Sequence, residues 1–101
     1  MADPEAGAEL GECSGCHVRM TGRTIRVIDW ELEAPWGKRA RVRAHTCSCE
    51  PVVYELCQVG GVRFIRRTST HGRRRIMQVS PRMSADDADR MWQLVLAGMA
   101  R

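Results

Sequence analysis

The sequence predicts a small α+β domain in which an antiparallel sheet of about four to five strands carries one C-terminal helix on a face. Three observations lead to it. Segments rich in β-branched or alternating residues recur between residues 24 and 79, turn signals such as Gly60-Gly61 separate them, and a sustained helical apolar stripe appears after Ser84. The length, 101 residues, suits one hydrophobic core rather than two. A chain of this size buries roughly 60 to 70 per cent of its unfolded surface, so it gains much from any covalent or metal staple.

The elements follow in order. Residues 1 to 11 offer no apolar periodicity and contain Pro4, Gly7 and Gly11, which predicts a flexible acidic tail ahead of a single domain over residues 12–101. Thr24 to Trp30 is β-branched and follows Thr21-Gly22, so it reads as a strand, and a loop is expected around Ala34-Pro35-Trp36-Gly37. Ala40 to His45 alternates without a break, which would put Arg41, Arg43 and His45 on one face and Ala40, Val42 and Ala44 on the other. Val52–Cys57 and Val62–Arg67 flank Gly60-Gly61, whose tolerance of positive φ suits a hairpin, and they are expected to pair antiparallel. A turn near Thr70-His71-Gly72 then leads into a further strand over Arg75–Val79.

Ser84 followed by Asp87 has the form of a capping box, and Asp86, Asp87 and Asp89 favour the positive end of a helix dipole, predicting a helix over Ala85–Ala97. Ala88, Met91, Trp92, Val95 and Met99 form its apolar stripe, read as core packing against the sheet. Leu94 lies off the stripe, as an exposed contact would.

The N-terminus lacks the basic start and apolar run of a secretory signal, and Leu94–Ala100 falls far short of the ~20 residues a membrane-crossing helix needs. A cytoplasmic protein is therefore expected. In that reducing setting five cysteines, an odd number, serve as metal ligands or reactive thiols rather than disulfides.

Those cysteines are spaced for a metal. Cys13-Ser14-Gly15-Cys16 lets two thiolates turn toward one point, and the one-residue spacing in Cys47-Ser48-Cys49 sets two more on one side of an extended segment. Four sulfurs could then surround Zn2+ tetrahedrally. Over residues 13–49 the pattern resembles a zinc ribbon or related zinc-knuckle module, with a second pair tighter than the two-residue spacing usual there. The ligand set therefore stays open: His45 could replace Cys47 or Cys49, His17 could replace Cys16, and Cys57 could join from the next strand. Three other readings compete. Cys13 to His17 also fits the attachment pattern of c-type haem, and a closely spaced pair can be a redox dithiol, which wants a βαβ context that this sequence does not suggest. Buried thiols can simply be small hydrophobes, the better reading for Cys57.

A closed four-ligand zinc leaves no position for activated water, and no glutamate stands beside a ligating histidine as in hydrolytic zinc motifs, so no enzymatic activity is expected. Fifteen of the sixteen basic residues are arginine, and residues 13–83 carry fourteen bases against five acids, whereas the first twelve residues carry four acids and no base. Arg63, Arg66, Arg67, Arg73, Arg74 and Arg75 cluster in sequence, and hairpin geometry is expected to gather them at one rim. Arg41 and Arg43 would join them if their strand lay beside Val62–Arg67. Guanidinium groups bind phosphate in a bidentate manner, and Trp30 and Trp36 could stack on bases. The expected function is a non-enzymatic zinc module contacting nucleic acid through Arg41, Arg43, Arg63, Arg67, Arg73, Arg74 and Arg75 in transcription or a related DNA or RNA transaction. The alternatives are a solvated arginine surface and a protein–protein adaptor in which zinc is purely structural. His71, between turn residues, reads as a solvated loop side chain.

Overall fold

The computed structural model describes residues 17–19, 23–32 and 39–101. The expectations for the acidic tail, for Cys13 and Cys16, and for the Trp36 loop lie outside these residues. Among them the elements are β1 (Glu31–Leu32), β2 (Arg41–His45), β3 (Val52–Val59), β4 (Val62–His71), β5 (Arg74–Val79) and α1 (Ala85–Leu96). The five strands form one sheet in the order β1-β5-β4-β3-β2, antiparallel at every pairing, so the α+β arrangement is as the sequence predicts.

Two hairpins make its centre. Val59 pairs with Val62 around Gly60, whose φ of 58° lies in the left-handed region that a two-residue hairpin loop needs and that glycine enters without steric cost. His71 pairs with Arg74 around Gly72-Arg73. Period-two alternation then divides the side chains of β3 and β4. Tyr54, Leu56 and Ile65 face the helix and pack with Ala88, Met91, Trp92 and Val95, while Cys57, Phe64 and Val79 form a second buried cluster on the opposite face. Burying side chains of the size of Leu56, Ile65 and Val95 contributes about 1.5–3 kcal/mol each.

The helix begins as expected: Ser84 Oγ accepts the Asp87 N–H at 3.2 Å. It ends one residue before Ala97, which caps it, and the following Gly98 at φ 73° allows Gly98 N–H to reach Val95 O and Met99 N–H to reach Leu94 O. This Schellman pattern satisfies two terminal carbonyls and turns the chain out of the helix. Met99 is therefore beyond the stripe and more than one-third exposed, whereas Leu94 packs against the main core instead of standing clear.

Two strand expectations change. Thr24–Trp30 does not enter the sheet. Its backbone runs parallel to the chain end that Gly98 redirects: Ile25 N–H donates to Met99 O at 2.8 Å, Ile28 N–H to Arg101 O at 2.7 Å, and Arg101 N–H to Arg26 O at 3.1 Å. Ladder pairing with the sheet begins only at Glu31, opposite Val79. The β-branched content forecast extended backbone correctly but carried no information about its partner.

In β2 a bulge interrupts the alternation. Val42 opposes Cys57 and Ala44 opposes Leu56, leaving Arg43 as the extra residue. Since Cys57 and Leu56 point to opposite faces, so do Val42 and Ala44. Arg41, opposite Gln58, and His45, opposite Glu55, are likewise on different faces instead of sharing one. One inserted residue thus undoes the pattern read from six.

Candidate metal centre and basic hairpin tip

The loop between β2 and β3 is anchored by Thr46, which is buried. Thr46 N–H donates to Tyr54 O at 2.9 Å, and the Tyr54 N–H donates to Thr46 Oγ1 at 2.9 Å, so both ends of the loop are tied together at its base. Cys47 follows directly, 2% exposed, with Cys49 exposed two residues on. The Cys49 N–H lies 3.5 Å from Cys47 Sγ. Backbone N–H groups directed at sulfur stabilise thiolate character, as in zinc knuckles.

A second segment meets this loop from the helix end. Leu96, in the last turn of α1, has a carbonyl without an intrahelical donor, and the Arg19 N–H supplies one at 3.0 Å. Val18 packs on the main core. These two attachments bring His17 Nε2 to 3.1 Å from Cys49 Sγ. The donor atoms of His17, Cys47 and Cys49 all lie within 4.8 Å of one another, forming a group that could hold a metal ion. Ligand atoms around a tetrahedral zinc stand roughly 3.5–3.8 Å apart, given metal bonds of about 2.0–2.3 Å, so this spacing fits such an ion.

His17 thus stands where the sequence reading had it only as a substitute. Cys47 and Cys49 come together across a turn at Ser48-Cys49 rather than on one side of the extended segment that their spacing suggests, and Cys13 and Cys16 lie outside the described residues. His45 and Cys57 are not in this group. His45 Nδ1 is 3.0 Å from Thr46 O, and Cys57, wholly buried, belongs to the cluster on the sheet face away from the helix. The signal for His17 was its place immediately after Cys16. Spacing alone could not rank it above His45, which is next but one to Cys47, because the ranking depends on where the helix ends.

The arginines separate into two populations. Arg63 bonds Asp89 of α1 at 2.7 Å, and Arg66 bonds Glu55 across the β3–β4 pair at 2.8 Å. Arg67 lies over the Trp30 ring, 4.3 Å from its centroid, and donates to Gln78 Oε1 at 2.6 Å. Trp30 in turn approaches Tyr54 at 6.2 Å between ring centroids, so it acts as an internal platform for a cation. Arg67 Nε and Trp30 Nε1 are both buried without a hydrogen-bond partner.

Arg73, Arg74 and Arg75, by contrast, are exposed at the β4–β5 tip, and Arg41 and Arg43 are exposed on β2. Arg41 opposes Gln58 next to the Gly60 turn, whereas Arg74 opposes His71, so they mark opposite ends of β4, about 30 Å apart for its ten residues. β2 pairs with β3 and not with β4. The basic residues therefore do not gather at one rim. The tip arginines share their end of the sheet with the metal group: Thr70 N–H donates to Pro51 O at 2.9 Å, joining the β4–β5 tip to the loop that carries Cys47 and Cys49.

Among the described residues no helix is long and apolar enough to cross a membrane. Compared with known proteins, the chain matches no family model, no curated protein and no solved structure.

Proposed function

We propose that this is a non-enzymatic zinc module that contacts nucleic acid through its basic hairpin tip, in transcription or a related DNA or RNA transaction. The observation that carries the reading is the joint position of Arg73, Arg74 and Arg75 with His17, Cys47 and Cys49 at one end of the sheet. Two thiolates and an imidazole form a soft donor set suited to zinc, and Cys13 or Cys16 is the natural source of the fourth ligand. A set completed by protein groups leaves no site for activated water, so the metal's role is to fix the loop against the helix end. The same ligands need their thiols reduced, in keeping with a cytoplasmic protein. The place of His17 beside Cys47 and Cys49 favours an ion over a haem anchored at Cys13 and Cys16.

Exposed guanidinium groups next to a rigid loop attract phosphates and release counterions on binding. Elemental analysis of the purified full chain is expected to return one zinc per molecule, with Cys47→Ala and Cys49→Ala each abolishing stoichiometric binding. Affinity for mixed-sequence oligonucleotides should fall steeply with salt, and joint replacement of Arg73, Arg74 and Arg75 by alanine should flatten the log–log slope by about 2–3. Metal-free protein of unchanged stability would remove the first half of the reading, and a salt-independent titration the second.

A protein–protein adaptor is the second reading, favoured by the exposed apolar side chains Ile25, Val27 and Leu32, which are 61%, 83% and 76% exposed. Binding to a protein partner that survives high salt and is lost in Val27→Asp, with no nucleic-acid binding at low salt, would establish it instead.

A further inference from the structure

A cleft of about 230 Å³ opens beside the metal group on the helix side of the sheet. Three of its lining residues are immediate chain neighbours of the three donors: Val18 follows His17, Thr46 precedes Cys47 and Glu50 follows Cys49. Whatever fixes the donors therefore fixes the cleft's walls. Tyr54, buried among core residues, contributes to the lining, and Arg101 supplies a cation there. Arg101 is itself tied down, with its N–H donated to Arg26 O and its main-chain oxygen accepting from the Ile28 N–H.

The cleft is smaller than the 300–1,000 Å³ usual for drug-sized ligands, and it is predominantly apolar with a carboxylate and a guanidinium. That combination suits a single flat heterocycle with an amino group for the Glu50 carboxylate to accept from, as carboxylates do from the amino group of cytosine, and with a phosphate near Arg101. The basic tip is close. Val52 of the cleft opposes Ser69, which opposes Ile76, and Arg74 lies two residues beyond Ile76, roughly 12 Å from Val52 by ordinary sheet spacings. A strand whose base entered the cleft would thus bring its neighbouring phosphates toward Arg101 and the tip arginines.

We propose that this cleft receives an unpaired, amino-bearing nucleobase, making the module selective for single-stranded over duplex nucleic acid. The inference rests on the nucleic-acid reading above and names the feature recognised. A base inside a duplex presents only its edges in the grooves, so its rings cannot enter, whereas an unstacked base can be extruded and held by its face and edge.

The test uses the full-length, zinc-loaded chain and a short oligonucleotide carrying one 2-aminopurine, alone and annealed to its complement, at low salt. Single-strand binding is expected to be roughly tenfold tighter, with a change in 2-aminopurine fluorescence on binding. Glu50→Ala, at an exposed position, removes the acceptor and should erase a preference for cytosine or adenine over thymine in otherwise identical strands while leaving the salt slope unchanged. Val52→Trp, which fills the cleft, should bring single-strand affinity down to that of the duplex. If Val52→Trp does not fold, the Glu50→Ala comparison decides. Equal affinity for both forms with unaltered fluorescence would overturn the cleft's role and leave the nucleic-acid reading standing. No binding to either form would overturn both.

Discussion

Two runs of arginine, Arg63–Arg67 and Arg73–Arg75, sit one turn apart in the same hairpin, yet the fold treats them oppositely. In the first, Arg63 reaches an aspartate on the helix, Arg66 a glutamate on the neighbouring strand, and Arg67 a tryptophan ring and a glutamine. In the second, all three side chains are exposed at the tip of the hairpin. Basic residues in a sequence measure charge, while partner geometry decides whether that charge holds the fold or faces a ligand. In Arg63–Arg67, guanidinium groups offset carboxylates and cover apolar surface with their stems.

The contrast is broken most decisively at Arg67. Arg67→Ala removes a cation over Trp30, the bond to Gln78 and the packing of the alkyl stem, and should cost about 1–3 kcal/mol in urea unfolding. A loss below a few tenths would place Arg67 with the surface residues. Arg66 and Glu55, with side chains 12% and 23% exposed, should show a coupling of about 1 kcal/mol in a double-mutant cycle, above that of ordinary surface pairs. Alanine at Arg73, Arg74 or Arg75 should change stability by no more than about 0.5 kcal/mol each, so any binding defect in those variants can be assigned to the interface.

The smallest effect lies at a third kind of arginine. Arg90 is exposed and pairs with Asp87, also exposed, in the first turns of the helix. The Arg90 hydrogen bond chiefly, with a second from Ser84, holds the Asp87 carboxyl below its ordinary value of 3.8. Because the folded value is the lower one, the contribution is present in full above that ordinary value and is lost as pH falls through the folded one. Asp87→Asn should therefore flatten the acid limb of a stability–pH profile slightly below pH 4 and leave neutral stability almost unchanged.

Much of the fold was legible because its signals are local. Gly60-Gly61 fits a tight turn by its own backbone freedom, Ser84 offers its oxygen to an N–H three residues away, and the Ala88–Val95 stripe follows from helical periodicity. Each cause and its effect lie within a few residues. The candidate site was legible only in part: the Cys47-Ser48-Cys49 spacing marks two thiols that can share a ligand, although it reads as extended backbone where the chain turns, and His17 is marked by its neighbour Cys16. What placed His17 with them is a bond from Arg19 to the carbonyl of Leu96, seventy-seven positions away in the chain.

The sequence by itself determined the strands β2 to β5, the helix that follows them, the turns at Gly60 and Gly72, the apolar stripe of the helix and the presence of two cysteine pairs, since these depend on residue type and short-range spacing. Tertiary structure alone decided that Ile25–Ile28 pairs with the chain end, that a bulge at Arg43 splits Arg41 from His45, and which arginines are spent inside the fold. It also decided that His17 rather than His45 stands with Cys47 and Cys49. Those outcomes depend on which distant groups a paired sheet and a terminated helix bring within bonding reach, a property of the packed chain that no short window of sequence contains.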